Sequence, residues 1–432
     1  MLEYLALVLA VILMLFMFRA SFYSLFFVIL LTTEFYYIQI GGGIARVYHF
    51  LAVLVVLLLA RHVPLLFSSR VFVALTVFVG VNFCAITLSD APEKALASFL
   101  AFCANVAVAM ATALILLAGR VELASFKRVI LTVTLVSVLW GLLQIVAFRF
   151  AGANLSLSPE QAAQVAAGFG PGFRTEANTF GKYMVFPFLL FLPEYIERSM
   201  RHINLIYLVF LVGILMNFTR SSIYGLGIAF IFIIFWYAQT GKLSRFTARG
   251  IKVAAAIAVY VALVFAGVVN VSEYAQHKLE NLFSQEEILE GSSSGYRLDL
   301  MKLVVNNALS DAKKMIIGNG WGQTHLYYND TKVQAGGGDI VNILGYAGLL
   351  GVVAYLVYML VSFMSARRLA ISSQDDQSTR FAEGVMFALV GIFCTGQMTG
   401  YLITPEYWIL IGICIFLSLN GTNLVRQQMV EG

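Results

Sequence analysis

Residues 95–118 read ALASFLAFCANVAVAMATALILLA and contain no charged side chain. A helix needs about 20 consecutive apolar residues to cross the hydrocarbon core of a bilayer, so this run predicts a membrane-spanning helix. The whole chain of 432 residues shares this character, because 60% of its residues are hydrophobic and 12% are charged. Soluble proteins are typically about 45–50% apolar and about 25% charged. The sequence therefore predicts a polytopic membrane protein.

Apolar runs on both sides of this stretch predict an all-α fold, a membrane bundle of about 12–13 transmembrane helices. The predicted cores are 2–18, 21–40, 44–60, 71–88, 95–118, 129–148, 180–197, 203–218, 221–238, 252–270, 340–364, 382–399 and 406–421. The first two runs meet at Arg19, so their count stays open. We divide the chain into N-terminal transmembrane helices (1–150), transmembrane helices with a first long loop at 151–179 (151–270), a large polar loop (271–339) and C-terminal transmembrane helices (340–432).

Basic residues in the short loops predict the orientation. If the spans alternate, these residues share one side, which is the cytoplasm because cytoplasmic loops carry excess Lys and Arg. They are Arg61, Arg70, Arg120, Lys127, Arg128, Arg198, Arg201, Lys242, Arg245, Arg249, Lys252, Arg367 and Arg368. The net charge of +5 reflects this bias rather than nucleic-acid binding. The two long loops then face away from the cytoplasm, on a side that in a Gram-negative cell would be the periplasm.

The large loop at 271–339 is polar but too rich in apolar residues to be disordered. Amphipathic patterns predict helices over Ser272–Glu290 and Tyr296–Leu309, and glycine-rich runs predict turns at Gly318–Gly322 and Gly336–Gly338. A long polar excursion of this kind is usually functional. We expect a partly helical lid or catalytic loop on a membrane scaffold.

Three arginines lie on the predicted periplasmic side, against the cytoplasmic bias: Arg174, Arg220 and Arg297. Arginine near the hydrocarbon core is costly unless it is paired or snorkels to the interface. Its planar guanidinium binds phosphate oxygens in a bidentate manner. Three converging arginines would hold a diphosphate. The alternative is a set of arginines that snorkel to lipid headgroups.

Carboxylates and a histidine near these arginines are candidate bases. Glu176 follows Arg174, and Asn178 behind it either supports a site or caps the next helix. Asp339 and Asn342 share one face at the start of a span, where Asp339 either caps the helix or accepts a proton from an acceptor hydroxyl. His325 is a base or an exposed loop residue.

Charged residues inside the predicted spans are functional candidates by default. Glu34 lies in the second span, and Arg46 and His49 lie in the third. We interpret Glu34 and Arg46 as a pair that stabilises the bundle rather than as a proton path. The four cysteines form no CxxC motif and are expected to be small buried hydrophobic residues. No motif for ATP hydrolysis, a metal site or serine-esterase chemistry is present, so we expect no cofactor and no metal.

Several segments in this order resemble the O-antigen polymerase and O-antigen ligase superfamily. The similar segments are Gly172-Phe173-Arg174-Thr175-Glu176-Ala177-Asn178-Thr179-Phe180-Gly181, Thr219-Arg220-Ser221-Ser222, Arg297, Ile317-Gly318-Asn319-Gly320, Asp339-Ile340-Val341-Asn342-Ile343-Leu344 and Gly348-Leu349-Leu350-Gly351. Ala177 stands where the family often has proline, and Thr219 replaces a serine. The resemblance covers roughly residues 165–365 and rests on pattern and order.

One departure concerns a loop histidine that many members carry before the last glycine motif. Gly337 occupies the corresponding position here. Ligases of the family depend on that histidine more than polymerases do, so its absence favours a polymerase. The general base stays open among Asp339, Glu176 and His325.

The resemblance implies glycosyl transfer on the periplasmic face. The donor would be a glycan on undecaprenyl diphosphate, and the acceptor would be a hydroxyl of a second lipid-linked repeat unit. Arg174, Arg220 and Arg297 would bind the diphosphate, with Arg220 and Arg297 also catalytic, and Asp339 is the first choice for the base. Asn178, Asn342 and Tyr296 would support them. Expected partners are these glycans, membrane lipids, a chain-length regulator and a flippase.

Three other functions remain open. A ligase would transfer the glycan to lipid A-core. A lipid-oligosaccharide flippase or secondary transporter would use intramembrane polar sites rather than a large loop. A peptidoglycan-type polymerase shares the architecture but matches no motif closely.

Overall fold

A computed structural model of the protein describes residues 22–33, 37–40, 43–197, 202–217, 219–251, 294–322, 325–328, 331–334 and 337–430. In the first half of the chain the elements are α1 (Phe22–Thr32), β1 (Tyr37–Ile40), β2 (Gly43–Arg46), α2 (Val47–Leu58), a 3₁₀ turn (Ala60–His62), α3 (Val63–Leu66), α4 (Arg70–Thr87), α5 (Pro92–Leu117), α6 (Leu123–Ala151), α7 (Pro159–Ala166), α8 (Ala177–Leu190), α9 (Leu192–Glu197) and α10 (Ile203–Leu215). The second half contains α11 (Arg220–Gln239), α12 (Ser294–Leu309), α13 (Ala312–Ile317), β3 (His325–Tyr328), β4 (Thr331–Gln334), α14 (Asp339–Ser372), α15 (Asp376–Thr399) and α16 (Pro405–Val430).

Six of the described helices are long and apolar enough to cross a membrane: α4, α5, α6, α11, α14 and α15. A further candidate is the pair formed by α2 and the segment Ala60–Leu66, which is bent by 69°. Shorter apolar helices are α1, α10 and the first part of α16. The polytopic helical membrane bundle is thus confirmed. Two of the predicted spans, 2–18 and 252–270, lie outside the described residues.

The predicted span at 21–40 is wrong, because only its first part is helical. α1 ends at Thr32, and β1 pairs with β2 in an antiparallel hairpin in which Ile40 faces Gly43. Hydropathy alone does not separate a short apolar strand from a helix. A second hairpin, β3 with β4, lies in the large loop. Neither hairpin was expected from the sequence.

The bundle is centred on the C-terminal helices. α15 packs against α8, α11 and α14, and α16 packs along α5. In α15, 72% of the most apolar stretch of 18 residues is buried within the protein. The four cysteines are free; Cys414 is buried as expected, whereas Cys84 is exposed on the apolar surface of α4. Packing between the C-terminal helices therefore also determines the positions of the residues at their ends.

The helix ends form two groups, which we name the basic end and the loop end. At the basic end, Lys242 pairs with Glu197 at 2.8 Å and with Glu383 at 3.1 Å, and Arg380 pairs with Glu197 at 3.2 Å. Burial alone would raise the pKa of Glu197, but hydrogen bonds and charges from Lys242 and Arg380 outweigh it and lower that pKa. The loop end carries the two long loops.

At the loop end, α14 is interrupted at Gly348, where φ is +62° and ψ is −162°. A break in a helix leaves the carbonyls of the preceding turn without their usual N–H donors. Buried carbonyls in a membrane protein then need hydrogen-bond donors from another segment. The predicted turn at 318–322 supplies them, because Asn319 N–H donates to Gly345 O at 3.0 Å and Gly320 N–H to Tyr346 O at 2.9 Å. The turn is therefore docked against the broken helix.

The first long loop is also folded, around the buried side chain of Gln161 in α7. Its Nε2 donates to the carbonyls of Gly172 and Arg174, and its Oε1 accepts from Gln144 Nε2 at 3.1 Å. Gln164 of the same helix accepts from Ala177 N–H at the start of α8. Of the two interpretations of Asn178, this contact argues against the one in which Asn178 caps α8, whose N-cap is Glu176. The cap comes from another element and could not be read from local sequence.

Candidate functional site

The connection between α15 and α16 is the centre of the polar region at the loop end. We name residues 398–406 the α15–α16 segment. Helix C-terminal carbonyls lack partners within their own helix and carry the negative end of the helix dipole. Cationic side chains from several parts of the chain donate hydrogen bonds to carbonyls of this segment. The segment was not singled out in the sequence, because it carries a single charged residue, Glu406.

Asp339 holds the α15–α16 segment from α14. Its Oδ1 accepts from the backbone N–H of Tyr401 at 2.7 Å and of Leu402 at 3.4 Å. Its side chain is 1% exposed, and Oδ2 has no hydrogen-bond partner among the described residues. Oδ2 lies against Gly396 of α15, where any side chain would collide with it. Asp339 does not cap its own helix, since the N-cap is Gly338 without a side-chain bond.

Lys182 holds the same segment from α8. Its Nζ donates to Gly400 O at 3.3 Å and lies 5.9 Å from the centre of the Tyr401 ring, while Tyr401 Oη donates to the backbone carbonyl of Lys182. The Lys182 charge also acts on the Asp339 carboxylate. Lys182 was not expected from the sequence to be a site residue. The available signal was a lysine in the second turn of an apolar helix, which is costly without a partner.

Arg297 of α12 reaches the end of α15. Its Nη1 donates to Met398 O at 3.3 Å, and its side chain is partly buried. Burial lowers the pKa of Arg297, and the charge of Glu176 opposes that shift. Glu176, the N-cap of α8, is exposed. Two of the predicted site residues, Arg297 and Glu176, therefore interact electrostatically although they lie in different loops.

Arg220 is the first residue of α11, as the sequence predicted for a residue at the end of a span. The preceding Thr219 packs against Gly181 of α8, next to Lys182, and a Cβ at Gly181 would collide with the threonine side chain. Further along α11, Gly225 lies against Thr395 of α15. Arg220 thus begins a helix that is packed between the elements bearing Lys182 and Met398.

Arg174 has a different position from the one expected. Its guanidinium is 1% exposed, pairs with Glu406 at 3.2 Å and lies 4.3 Å from the centre of the Tyr183 ring. Glu406 is fully buried at the start of α16. The assignment of Arg174 to diphosphate binding is therefore corrected. The charge is enclosed by the protein and faces a carboxylate, so it joins the first long loop to the α15–α16 segment.

The supporting residues fall into two groups. Asn342 donates from Nδ2 to Gly337 O at 3.1 Å, one turn along α14 from Asp339, and Asn178 is exposed in the first turn of α8. Tyr296 lies in α12 and His325 begins β3, but both side chains lie outside the described part of the structure. The predicted contributions of these two residues stay predictions.

Arg46 and His49 have structural contacts. His49 Nδ1 accepts from Arg46 N–H at 3.1 Å, so His49 Nε2 carries the proton and donates to Asn105 Oδ1 at 3.0 Å. Arg46 Nη1 donates to Tyr48 Oη at 3.1 Å and to Ile403 O at 3.3 Å. These bonds tie the first hairpin to the α15–α16 segment. Glu34, the predicted partner of Arg46, lies outside the described residues.

Among the described residues, no group of three or more His, Cys, Asp or Glu side chains has the arrangement of a metal site. The donors that converge at the loop end are instead guanidinium and ammonium groups with carbonyl and carboxylate partners. Such groups bind anions and stabilise negative charge. The arrangement suits an anionic ligand at the membrane boundary.

No protein-family model matches the chain, and no curated protein sequence is similar to it.

Proposed function

We propose that the protein polymerises undecaprenyl-diphosphate-linked oligosaccharide repeat units into a surface polysaccharide, on the periplasmic face of the bacterial inner membrane. The pattern of segments that resembles O-antigen polymerases supports this proposal, and so does the membrane bundle. The observation that carries it is the arrangement of Arg297. Its partly buried guanidinium donates from Nη1 to Met398 O at 3.3 Å, at the end of the membrane helix α15.

The reaction needs two kinds of group. When the anomeric carbon of the donor leaves its diphosphate, negative charge develops on the phosphate oxygens, and preorganised cations lower the energy of that state. Arg297 and Arg220 would supply this charge, since bidentate guanidinium–phosphate contacts are strong. The acceptor hydroxyl must also lose a proton to a base. Asp339, Glu176 and His325 are the candidate bases that the sequence offers.

A glycan-ladder assay tests the proposal. Purified protein is mixed in detergent with lipid-linked repeat units, and products are separated by length. We expect a ladder without added nucleotide, and we expect R297Q and R220Q to lower its rate at least about tenfold, which corresponds to about 1.4 kcal/mol of transition-state stabilisation. Lys302, on the same helix as Arg297 with a side chain that is 74% exposed, gives the matched control K302Q.

Two outcomes would contradict the proposed function, and a third would contradict its site residues. Wild-type protein that leaves the repeat units unextended would exclude a polymerase. Transfer of a preformed glycan to lipid A-core, when this acceptor is added to the assay, would instead identify a ligase. An unchanged ladder in both arginine variants would remove Arg297 and Arg220 from the site.

A second candidate function is transport of a lipid-linked oligosaccharide. The break of α14 at Gly348 and the 69° bend after α2 favour it, because transporters use discontinuous helices. Reconstituted protein that moves labelled lipid-linked oligosaccharide across vesicles, without extending it, would support transport over polymerisation.

A further inference from the structure

The sequence predicted three cations for a diphosphate, and the structure removes one of them. The guanidinium of Arg174 is 1% exposed and pairs with Glu406, so it offers no surface to a ligand. Arg220 and Arg297 are both partly exposed at the loop end. The place that Arg174 was expected to fill therefore has to be taken by another cation if three are needed.

Lys182 lies at the same helix end as Arg297. Its Nζ donates to Gly400 O at 3.3 Å, and Arg297 Nη1 donates to Met398 O at 3.3 Å. The two carbonyls belong to residues two positions apart, so their Cα atoms are separated by at most about 7 Å. Lys182 is also partly exposed. Two positive charges, one from α8 and one from α12, therefore meet at the end of α15.

Lys182 is also next to the start of α11. The preceding residue, Gly181, packs so closely against Thr219 that a Cβ there would collide with the threonine hydroxyl. Thr219 is the N-cap of α11, its side chain is 4% exposed, and its Oγ1 has no hydrogen-bond partner among the described residues. Backbone N–H groups and the dipole at a helix N-terminus favour an anion. Lys182 and Arg220 therefore adjoin one helix N-terminus and one buried hydroxyl.

The carboxylates that interact with these cations leave an excess of positive charge. Asp339 interacts with Lys182, and Glu176 interacts with Arg297. Asp339 is 1% exposed, and its Oδ1 accepts two backbone N–H groups of the α15–α16 segment. Three cations, including Arg220, thus face two carboxylates, one of which is enclosed by the protein. An anionic ligand would balance the remaining charge.

We propose that Lys182 is the third cation of the diphosphate site, in the place expected for Arg174. This inference rests on the proposed function. Lys182 binds the diphosphate together with Arg297 at the end of α15 and with Arg220 at the start of α11. An ammonium suits this position because it binds phosphate as a compact charge and does not need the bidentate geometry of a guanidinium.

Binding of two isoprenoid phosphates tests the assignment. Farnesyl diphosphate and farnesyl monophosphate are titrated into the full-length protein in an uncharged detergent, and isothermal titration calorimetry gives both dissociation constants. We expect K182M to weaken binding of the diphosphate at least about tenfold and of the monophosphate less than about threefold, because the second phosphate needs the additional charge. K182R keeps the charge and should stay within about threefold for both. The exposed Lys302 on α12 gives the matched control K302Q, which should bind both as wild type does.

The ratio of the two dissociation constants separates ligand binding from a structural effect. If Lys182 only held the turn at Gly400, K182M would weaken both probes equally, and the ratio would stay at its wild-type value. If Lys182 only balanced the charge of Asp339, the double variant D339N/K182M would regain the wild-type ratio. Either result would overturn the inference. R174Q should leave the ratio unchanged, since its guanidinium is enclosed.

The same measurements distinguish this inference from the proposed function. A glycan ladder from wild-type protein, with an unchanged ratio in K182M, would leave the polymerase standing and refute the assignment of Lys182. The absence of a ladder, with a ratio that depends on Lys182, would refute the polymerase and support a diphosphate site. Wild-type protein that binds neither farnesyl compound would contradict the inference whether or not the ladder forms.

Discussion

The buried pair of Arg174 and Glu406 gives the sharpest stability prediction. Its N···O distance is 3.2 Å, and the side chains are 1% and 0% exposed. At that distance and an effective dielectric constant of about 20, the attraction is roughly 5 kcal/mol. Removing one partner of a buried pair typically lowers stability by about 3–5 kcal/mol. We therefore expect R174Q or E406Q alone to lower the free energy of unfolding by about 3–5 kcal/mol.

A double-mutant cycle tests the origin of this effect. Replacing both partners by apolar residues of similar size leaves no uncompensated charge, so R174M/E406L should be more stable than the sum of its single variants by at least about 2 kcal/mol. Unfolding in mixed detergent micelles, followed by tryptophan fluorescence, measures each variant. The exposed pair of Lys302 and Asp299 is the control, and K302Q should change stability by less than about 1 kcal/mol. A coupling energy below about 0.5 kcal/mol would refute the pair.

Three further predictions concern other parts of the bundle. Gly348 adopts a conformation that is essentially restricted to glycine, so G348A should lower the free energy of unfolding by about 1–3 kcal/mol in the same assay. The control is G227A, at a helical glycine with open space around it, which should be neutral or slightly stabilising. Trp321 is 7% exposed with its ring 4.0 Å from that of Phe102, so W321A should cost about 3–5 kcal/mol while W321F keeps most of the stability. Despite its burial, the pKa of Glu197 is held below 4.5 by basic partners, so the stability that this carboxylate contributes is present at neutral pH and is lost as pH falls below about 4.5. Melting temperatures between pH 7 and pH 4 should therefore fall less in E197Q than in wild type, and equal slopes would contradict the assignment.

The sequence predicted the parts of the fold that depend on hydropathy alone. An uncharged apolar run must lie in lipid or in a core, so the spans around α4, α5, α6, α11, α14 and α15 followed directly from composition. Helix α12 and the turn at 318–322 also follow local rules, because amphipathic spacing and glycine clusters have few other structural solutions. The predicted helix Ser272–Glu290 lies outside the described residues.

Contacts between distant segments could not be predicted. The residues around Arg174 in the sequence do not indicate that its partner is Glu406. The same local sequence could surround an arginine that is buried in an ion pair or one that binds a ligand. The same holds for Asp339, whose partners Tyr401 and Leu402 lie beyond the next helix. A one-dimensional pattern shows that a charge needs a partner, but it does not show which partner the fold supplies.

The α15–α16 segment shows why these missed contacts matter for function. Four cations from separate segments of the chain each bind a different group of this one segment. Arg297, Lys182 and Arg46 bind the carbonyls of Met398, Gly400 and Ile403, and Arg174 binds the carboxylate of Glu406. A charge-stabilising site loses rate if its cations must reorganise during the reaction, so they need rigid support. Here the support consists of helix ends rather than free loops. Arg297 is bound to a segment that the other three cations also contact, so a substitution at any of them should change the position of the Arg297 guanidinium.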